Sequence, residues 1–350
     1  KKEWPPQFDV AAKAIDDGDG EQKREDISKT IQRVLILGSG GIQIGQAGEF
    51  DYTGSQVLKS ITQLNIETIL LNPNVASIQT LEHTANKTIF APLTAESVAQ
   101  VLADELPDGI LLSFGGQTAL NVGLELDAKG YFKKYNVSVL GTSLNSILLT
   151  EDREKFRQFL LNINEPVAAS LTTSNLKDVT KLGNEIGFPV LLRRAFALGG
   201  YGSGFASNEE ELYKLATKAM ARDDPGGANP QIIIDRSLKG WKEVEYEVVR
   251  DIYGNVFIVC NMENFDPLGV HTGESIVVAP SQTLSDHEYQ TLRAASIKIA
   301  SELEIVGECN IQYAINPTKF EYVVVEVNPR LSRSSALASK ATGYPIAKIA

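Results

Sequence analysis

Two segments near the carboxyl end, Asn310-Ile311-Gln312-Tyr313-Ala314 and Tyr322-Val323-Val324-Val325-Glu326-Val327-Asn328, combine apolar residues with a few oxygen-bearing side chains. Both read as β-strands, joined by a turn at Asn316-Pro317-Thr318-Lys319. Alternate residues of a strand share a face, so Glu326 and Asn328 are predicted to point one way while Val325 and Val327 pack into the core. Gln312 of the neighbouring strand can join them. One carboxylate and two amide oxygens form a sparse, hard ligand set that suits Mg²⁺, or Mn²⁺ in its place, and leaves room for water and substrate phosphates. Zinc or iron would ask for His or Cys. Directly downstream, Pro329-Arg330-Leu331-Ser332-Arg333 sets two arginines three apart beside the proposed metal. Guanidinium forks match oxyanions bidentately, so Arg330 and Arg333 are candidates to hold a small oxyanion against a γ-phosphate; a pair of ordinary surface arginines is the alternative.

Upstream, the strand Phe188-Pro189-Val190-Leu191-Leu192-Arg193 delivers an arginine to Ala197-Leu198-Gly199-Gly200-Tyr201-Gly202-Ser203-Gly204. The glycines of this loop expose backbone N–H groups and permit positive φ, so it can wrap a polyphosphate. No Gly-Lys-Ser or Gly-Lys-Thr follows, which excludes a Walker A loop. Alone, such a loop could equally be a hairpin tip. In Trp241-Lys242-Glu243-Val244-Glu245-Tyr246-Glu247 the three glutamates share one strand face, where most are expected to be solvated and one could meet a ribose. Asp266-Pro267-Leu268-Gly269-Val270-His271-Thr272-Gly273 puts one of only three histidines in a glycine-flanked loop, as a phosphate or oxyanion contact or as a structural histidine. His83 and His287 have no comparable setting.

These residues need a scaffold. Arg33 to Leu37 is an apolar burst running into glycines; a helical stretch near Ser55 to Leu64 and a second burst at Thr68 to Leu71 follow. The rhythm recurs at Gly109 to Ser113 and at Val137 to Leu140, which predicts a parallel, doubly wound sheet. From about Thr150, helical segments (Glu151 to Asn162, Leu176 to Ile186, Glu209 to Ala221) alternate with strands at Phe188 to Arg193, Ile232 to Asp235, Val244 to Arg250 and Val256 to Met262. Hairpin turns such as Asp251-Ile252-Tyr253-Gly254-Asn255 mark this part as largely antiparallel α+β. Residues 1–30 are polar and charged and read as a linker, so the expected division is 1–30, 31–149 and 150–350.

Composition narrows the function. At 350 residues, 43% hydrophobic and 22% charged, the chain can build real cores. Its net charge of -11 repels nucleic acid and anionic membranes, so any anion site must be built from local arginines. No run reaches the roughly 18–20 apolar residues of a membrane span. Cys260 and Cys309 are too few for a disulfide framework and have no metal-ligand spacing, which predicts core thiols in a reducing, cytoplasmic or mitochondrial, compartment. The chain opens without Met and closes on what reads like a helix beginning, so it is expected to be a segment of a longer polypeptide. The glycine run Gly38-Ser39-Gly40-Gly41-Ile42-Gln43-Ile44-Gly45 invites a dinucleotide reading, but Gln43 replaces the last glycine and Asn72-Pro73-Asn74 offers no carboxylate after the second strand. Tight turns for helix–sheet packing explain it better.

With Gln312, Glu326, Asn328, Arg330 and the Gly199 loop in view, the sequence resembles the ATP-grasp superfamily and, more narrowly, the large subunits of carbamoyl-phosphate synthetases. The likeness is carried by Ile44-Gly45-Gln46-Ala47-Gly48-Glu49-Phe50-Asp51-Tyr52, Gly115-Gly116-Gln117-Thr118-Ala119-Leu120-Asn121, Gly240-Trp241-Lys242-Glu243, Val270-His271-Thr272-Gly273 and the run from Ser332 to Gly343. It implies an α/β fold, a parallel doubly wound pre-ATP-grasp domain followed by a two-lobed α+β ATP-grasp domain that clamps ATP. It further implies that Arg153 and Arg193 touch phosphates, that Gly199 and Gly200 form the phosphate loop and that Leu238 and Glu243 line the adenosine pocket. Gly269, Val270 and His271 would flank the nucleotide and oxyanion, Gln312, Glu326 and Asn328 would hold Mg²⁺, and Asn310, Arg330 and Arg333 would surround bicarbonate. The implied activity is that of the amino-terminal half: carboxyphosphate from bicarbonate and ATP, then carbamate with ammonia from a glutaminase subunit or domain. A carboxyl-terminal synthetase half would complete the product, and an oligomer is compatible with this. Two positions depart from the pattern. Arg194 replaces a small residue or proline, and Arg236 stands where a glutamate commonly meets the ribose. A biotin-carboxylase-like enzyme is disfavoured because no lysine lies between Ala197 and Phe205, and a non-catalytic nucleotide-binding module is the alternative from another class.

Overall fold

The computed structural model describes residues 31–41, 46–194, 204–220, 232–266, 268 and 275–350. In its first part, β1 (Arg33–Leu37), β2 (Glu67–Leu71), β3 (Lys87–Ile89), β4 (Gly109–Leu111) and β5 (Ser138–Leu140) form one sheet in the order β3-β2-β1-β4-β5. Every pairing in it is parallel, as the repeated strand, glycine turn and helix predict. β1 is almost wholly apolar because both of its faces are covered. Leu35 and Leu37 pack with the helices Ala95–Glu105 and Gly116–Ala128, while Val34 and Ile36 pack with the helix Gln46–Gln63. Strand order reverses at β1, and the crevice beyond its carboxyl end is where such sheets receive ligands.

The helix Gln46–Gln63 begins well before the expected Ser55. Gly48, Asp51 and Gly54 lower its intrinsic propensity, but packing overrides propensity. At Gly54 the reason is visible: a Cβ there would lie 2.4 Å from Gln79 Nε2, so only glycine lets that buried side chain reach the Phe50 carbonyl, to which it donates at 2.8 Å.

The remaining strands form two antiparallel sheets. β6 (Ser170–Thr173), β7 (Val190–Arg194), β8 (Gly204–Ala206) and β9 (Ile232–Arg236) are ordered β6-β9-β7-β8 and pack on the helices Val179–Ile186 and Glu209–Met220. β10 (Lys242–Arg250), β11 (Val256–Asn264), β12 (Val277–Val278), β13 (Gly307–Ile315) and β14 (Tyr322–Asn328) are ordered β12-β11-β10-β13-β14. The predicted turn between β10 and β11 is held by Asp251, whose Oδ1 accepts from the N–H groups of Tyr253 (2.9 Å) and Asn255 (2.8 Å).

One face of this five-stranded sheet is apolar. Val244, Tyr246, Val248, Cys309, Ile311, Tyr313 and Val327 pack against the helix Asp286–Glu302. The other face turns toward the parallel sheet, where Val249, Met262, Leu331 and Ala338 share a core with Val34, Ile36 and Leu58. The expectation that Val325 joins the core fails: it is 39% exposed. Gln312 pairs with Glu326 but Tyr313 pairs with Val324, so Val325 is the extra residue of a β-bulge and leaves the alternation. Cys309 is a buried thiol as expected, and Cys260 is partly buried, its pKa pushed up to about 12 by burial and by Glu247 and Glu245. No helix of the described residues is long and apolar enough to cross a membrane.

The close approach of β1 to the turn after β4 can be tested. At Gly115 a Cβ would lie 2.5 Å from Leu37 O and 2.6 Å from Gly38 O, both backbone atoms. Gly115→Ala is therefore expected to destabilise the fold by about 1–3 kcal/mol, an overpacking cost measurable by urea unfolding. Unchanged stability would show that the two segments separate without penalty.

Candidate functional site

Antiparallel pairing sets residues that lie opposite one another on the same face. Across β11, β10, β13 and β14, Asn264 faces Glu243, Glu245 faces Gln312, Glu247 faces Asn310, Gln312 faces Glu326 and Asn310 faces Asn328. One sheet face thus collects Glu243, Glu245, Glu247, Asn264, Asn310, Gln312, Glu326 and Asn328. The structure brings together every described member of the metal triad proposed from sequence.

The three β10 glutamates are not solvated, contrary to expectation. Glu243 is 5% exposed, and Glu245 and Glu247 are fully buried. The helix Arg333–Thr342 and the parallel sheet cover this face, and strand periodicity cannot reveal such a cover. Burial raises Glu245 to about 8, with Glu247 adding repulsion, and raises Glu243 to about 7, with Glu326 adding to it. Glu308 is driven well above the usual carboxylate range by burial and by Glu247. Asn310 holds the group together. Its Nδ2 lies 2.8 Å from Glu245 Oε2, 2.9 Å from Glu247 Oε1 and 3.1 Å from Ser334 Oγ. Its amide is therefore committed to carboxylates, whereas the sequence placed it beside an oxyanion.

At the open end, Glu326 is solvent-accessible and Gln312 nearly buried. Asn328 lies between Glu326 and Arg330, donating from Nδ2 to Glu326 Oε1 (3.0 Å) and accepting at Oδ1 from Arg330 Nη2 (3.3 Å). The donor set fits a hard divalent cation: it holds one accessible carboxylate and amide oxygens from adjacent strands, with neither sulfur nor imidazole. Arg333 donates to the Ser275 carbonyl at 3.4 Å, on the opposite wall.

Cations gather at the lip formed by the smaller antiparallel sheet. Arg193 grips Asp235 with Nε and Nη2, each 2.6 Å from Oδ2. Arg153 is exposed as a residue, yet desolvation of its guanidinium and then the Arg193 charge lower its pKa, while Asp235 and Glu326 oppose the shift. Two mutually repelling guanidiniums at one edge suit an anion. Leu238 is partly buried with Leu268 against Trp241, Ala314 and Val323, an apolar bed suited to a planar ring. Gly199, Gly200, Gly269, Val270 and His271 lie outside the described residues, as does the segment 1–30.

The structure adds pairings that sequence reasoning missed. Arg236 is paired with Glu321 at 2.8 Å and lies 5.3 Å from the Trp241 ring, so it joins the small sheet to the larger one. Gln117 donates to the Glu151 carboxylate in a short hydrogen bond. Burial raises Glu151, and Arg330 opposes that shift. Gln117 and Glu151 both stand inside noticed segments, but nothing local signals that residues 34 apart pair.

Comparison with known proteins agrees with this geometry. The family model for the carbamoyl-phosphate synthase L chain ATP binding domain matches residues 152–350, and that for the carbamoyl phosphate synthase preATP-grasp domain matches residues 30–149. The chain is 58% identical over 318 residues to the multifunctional protein CAD of Squalus acanthias, covering 91% of this chain and 14% of that protein. It is 56% identical over 317 residues to the mitochondrial arginine-specific carbamoyl phosphate synthase large chain of Neurospora crassa, covering 91% of this chain and 27% of that one. The chain thus spans a minor part of the curated relatives it matches. Among solved structures, a biotin carboxylase–βγ-ATP complex from Campylobacter jejuni superposes with a TM-score of 0.72 at 18% identity, covering 91% of this chain and 69% of that one. The biotin carboxylase domain of Hydrogenobacter thermophilus 2-oxoglutarate carboxylase, solved with MgADP, ADP and bicarbonate, gives 0.67 at 19% identity, covering 91% and 68%. At such identities the likeness is one of fold.

The raised Glu245 makes stability depend on pH. Its folded pKa of about 8 exceeds the usual carboxylate value of an unfolded chain, so the folded state binds the extra proton between the two values. Stability is then greatest below that window and falls as pH rises through it. In Glu245→Gln this loss disappears, because an amide cannot ionise; its oxygen keeps the bond from Asn310, and a flip of the Asn264 amide, which donates to Glu245 Oε1 at 3.2 Å, turns the Asn264 oxygen toward the new N–H group. Calorimetry should find the variant melting above the unmodified chain near pH 8, with the gap shrinking toward about pH 5. Parallel pH curves for the two proteins would assign the titration elsewhere.

Proposed function

The chain belongs to the carbamoyl-phosphate synthase large-chain family, and from that premise we propose that it uses ATP to phosphorylate bicarbonate and then converts the product to carbamate. The observation that carries this is the convergence of Gln312, Glu326, Asn328 and Arg330 at the open end of one sheet face, with Arg153 and Arg193 at the lip. The division into a linker (1–30), a pre-ATP-grasp domain (31–149) and an ATP-grasp domain (150–350) is part of the proposal.

In the first step a bicarbonate oxygen attacks the γ-phosphorus of ATP, the bond to the β–γ bridging oxygen breaks and ADP leaves. In the second, ammonia attacks the carbonyl carbon of carboxyphosphate, inorganic phosphate leaves, and a proton is lost to give carbamate. Such transfers ask the protein for alignment and charge neutralisation rather than for a nucleophile. Arg153 and the N–H groups of Arg193 not engaged by Asp235 meet the phosphates, and Leu238 and Glu243 receive the nucleoside. Arg330 and Arg333 orient bicarbonate. Asn310 acts one layer deeper, fixing the buried carboxylates beneath the reacting groups. Gln312, Glu326 and Asn328 would hold Mg²⁺, or Mn²⁺, which when bound neutralises phosphate charge. Gly199, Gly200, Gly269, Val270 and His271 are assigned by motif alone to the phosphate loop and to the nucleotide and oxyanion side. Ammonia comes from a glutaminase subunit or domain, and a second synthetase half completes carbamoyl phosphate. The setting is proposed as cytoplasmic, with the mitochondrial relative marking the other choice.

Glu326→Gln tests this in the intact synthetase. Loss of the only carboxylate in the triad is expected to lower bicarbonate-dependent ADP release by roughly two or more orders of magnitude, as removal of a transition-state electrostatic contact does. Circular dichroism and melting temperature should stay unchanged. Full turnover in the variant would remove Glu326 from the site, and an unmodified enzyme that binds ATP without bicarbonate-stimulated ADP release would leave only nucleotide binding.

A further inference from the structure

Arg330 is carried by the segment following β14, yet its surroundings belong to the parallel-sheet part of the chain. Its guanidinium carbon lies 5.2 Å from the centroid of the Phe50 ring. Phe50 is 2% exposed and sits on the helix Gln46–Gln63; its carbonyl is fixed by Gln79 Nε2 at 2.8 Å. The ring rests on the Gly115–Gly116 turn so closely that a Cβ on Gly116 would stand 2.5 Å from Phe50 Cε2. Leu331, the next residue, donates its N–H to Ser113 O at 3.2 Å, seating the segment at the carboxyl end of the parallel sheet. Glu151 attracts the same guanidinium.

The hydrogen bonds of Arg330 itself are weak. Nη1 donates to the Leu331 carbonyl and Nη2 to Asn328 Oδ1, both at 3.3 Å, beyond the usual range for N–H···O bonds, and Nε is buried with no hydrogen-bond partner among the described residues. What restrains the guanidinium plane is therefore the aromatic ring. Stacking on a ring engages the face of a guanidinium and leaves its N–H edge free for a planar oxyanion.

We propose that Phe50 is a positioning residue for Arg330: the parallel-sheet part of the chain sets the aim of the arginine that orients bicarbonate. The inference rests on the proposed role of Arg330 and adds that affinity for the oxyanion is tuned by a ring more than 250 residues away in sequence. Gly116 takes part indirectly, since a Cβ there would stand 2.5 Å from Phe50 Cε2 and displace the ring.

The test uses the intact synthetase and bicarbonate-dependent ADP release. Phe50→Leu keeps an apolar side chain and removes the π face. It is expected to raise KM for bicarbonate roughly three- to thirtyfold, the span of a desolvated cation–π contact, while KM for ATP and melting temperature hold. Phe50→Tyr restores the bicarbonate KM. In an Arg330→Met background, Phe50→Leu should add nothing. The inference is overturned if Phe50→Leu leaves the bicarbonate KM unchanged, if it raises both KM values together with a fall in melting temperature, or if its effect persists without Arg330. Should Arg330→Met alone leave the bicarbonate KM untouched, the role of Arg330 fails first and the inference falls with it.

Discussion

The site depends on the register of four antiparallel strands. Side chains on a strand alternate with period two, so a slip of one residue would send Glu243, Glu245 and Glu247 into the apolar core and bring Val244, Tyr246 and Val248 to the active face. The register is secured from behind: Val244, Tyr246, Val248, Ile311 and Tyr313 pack on the helix Asp286–Glu302, and Ser296 and Tyr313 hydrogen-bond through their hydroxyls at 2.8 Å. Packing on one face thus determines chemistry on the other. The register shifts twice, at Val259 on β11 and at Val325 on β14, and the second bulge lies beside Glu326. The extra residue sharpens the local twist and coincides with the point where the strand leaves the core and presents its carboxylate to solvent.

Burying several carboxylates on one face costs stability. The structure limits this cost by favouring the protonated form of Glu243, Glu245 and Glu308 and by concentrating amide donors there. Asn310 donates toward Glu245 and Glu247, and Asn264 Nδ2 donates to Glu245 Oε1 at 3.2 Å. Burial raises Glu245 to about 8 and Glu243 to about 7, whereas Glu326 stands open to solvent. An interior carboxylate that keeps its proton offers less negative charge than an ionised one. Asn328 and Arg330 mark where the charge reverses. Beyond them the cleft needs cations, and the chain's net charge of -11 makes each local arginine matter more.

Much of this could be read from the sequence. The parallel sheet was legible because its strands are short apolar runs closed by glycine turns, and the shared face of Gln312, Glu326 and Asn328 because the last two stand two apart on a strand. Three features were not. The beginning of the helix Gln46–Gln63 was hidden by poor helix formers that tertiary packing overrides. The burial of Glu243, Glu245 and Glu247 was hidden because periodicity reports which face a residue takes and not what covers that face. The pairings Arg330–Phe50, Arg236–Glu321 and Gln117–Glu151 were hidden because each joins elements whose contact exists only after the sheets have packed. Arg236 shows how a sequence anomaly resolves. A cation cannot accept ribose hydroxyls, but in the fold it faces Glu321 and the Trp241 ring, and it holds two sheets together where a nucleoside would enter.

Arg193 illustrates why pairing an arginine need not remove it from anion binding. Asp235 engages Nε and Nη2, which cancels part of the charge but fixes the plane of the fork and leaves Nη1 outside that pairing. A free arginine would bring more charge but would lose rotamer entropy on binding. Arg153 makes the opposite trade: with no carboxylate of the described residues in direct contact, it keeps its full charge, at the expense of desolvation and of repulsion from Arg193. A polyphosphate entering between them relieves that repulsion and gains one oriented partner and one strongly charged one. The same division of labour holds deeper in the cleft. There Arg330 lies over an aromatic ring, a contact that can orient a guanidinium without cancelling its charge.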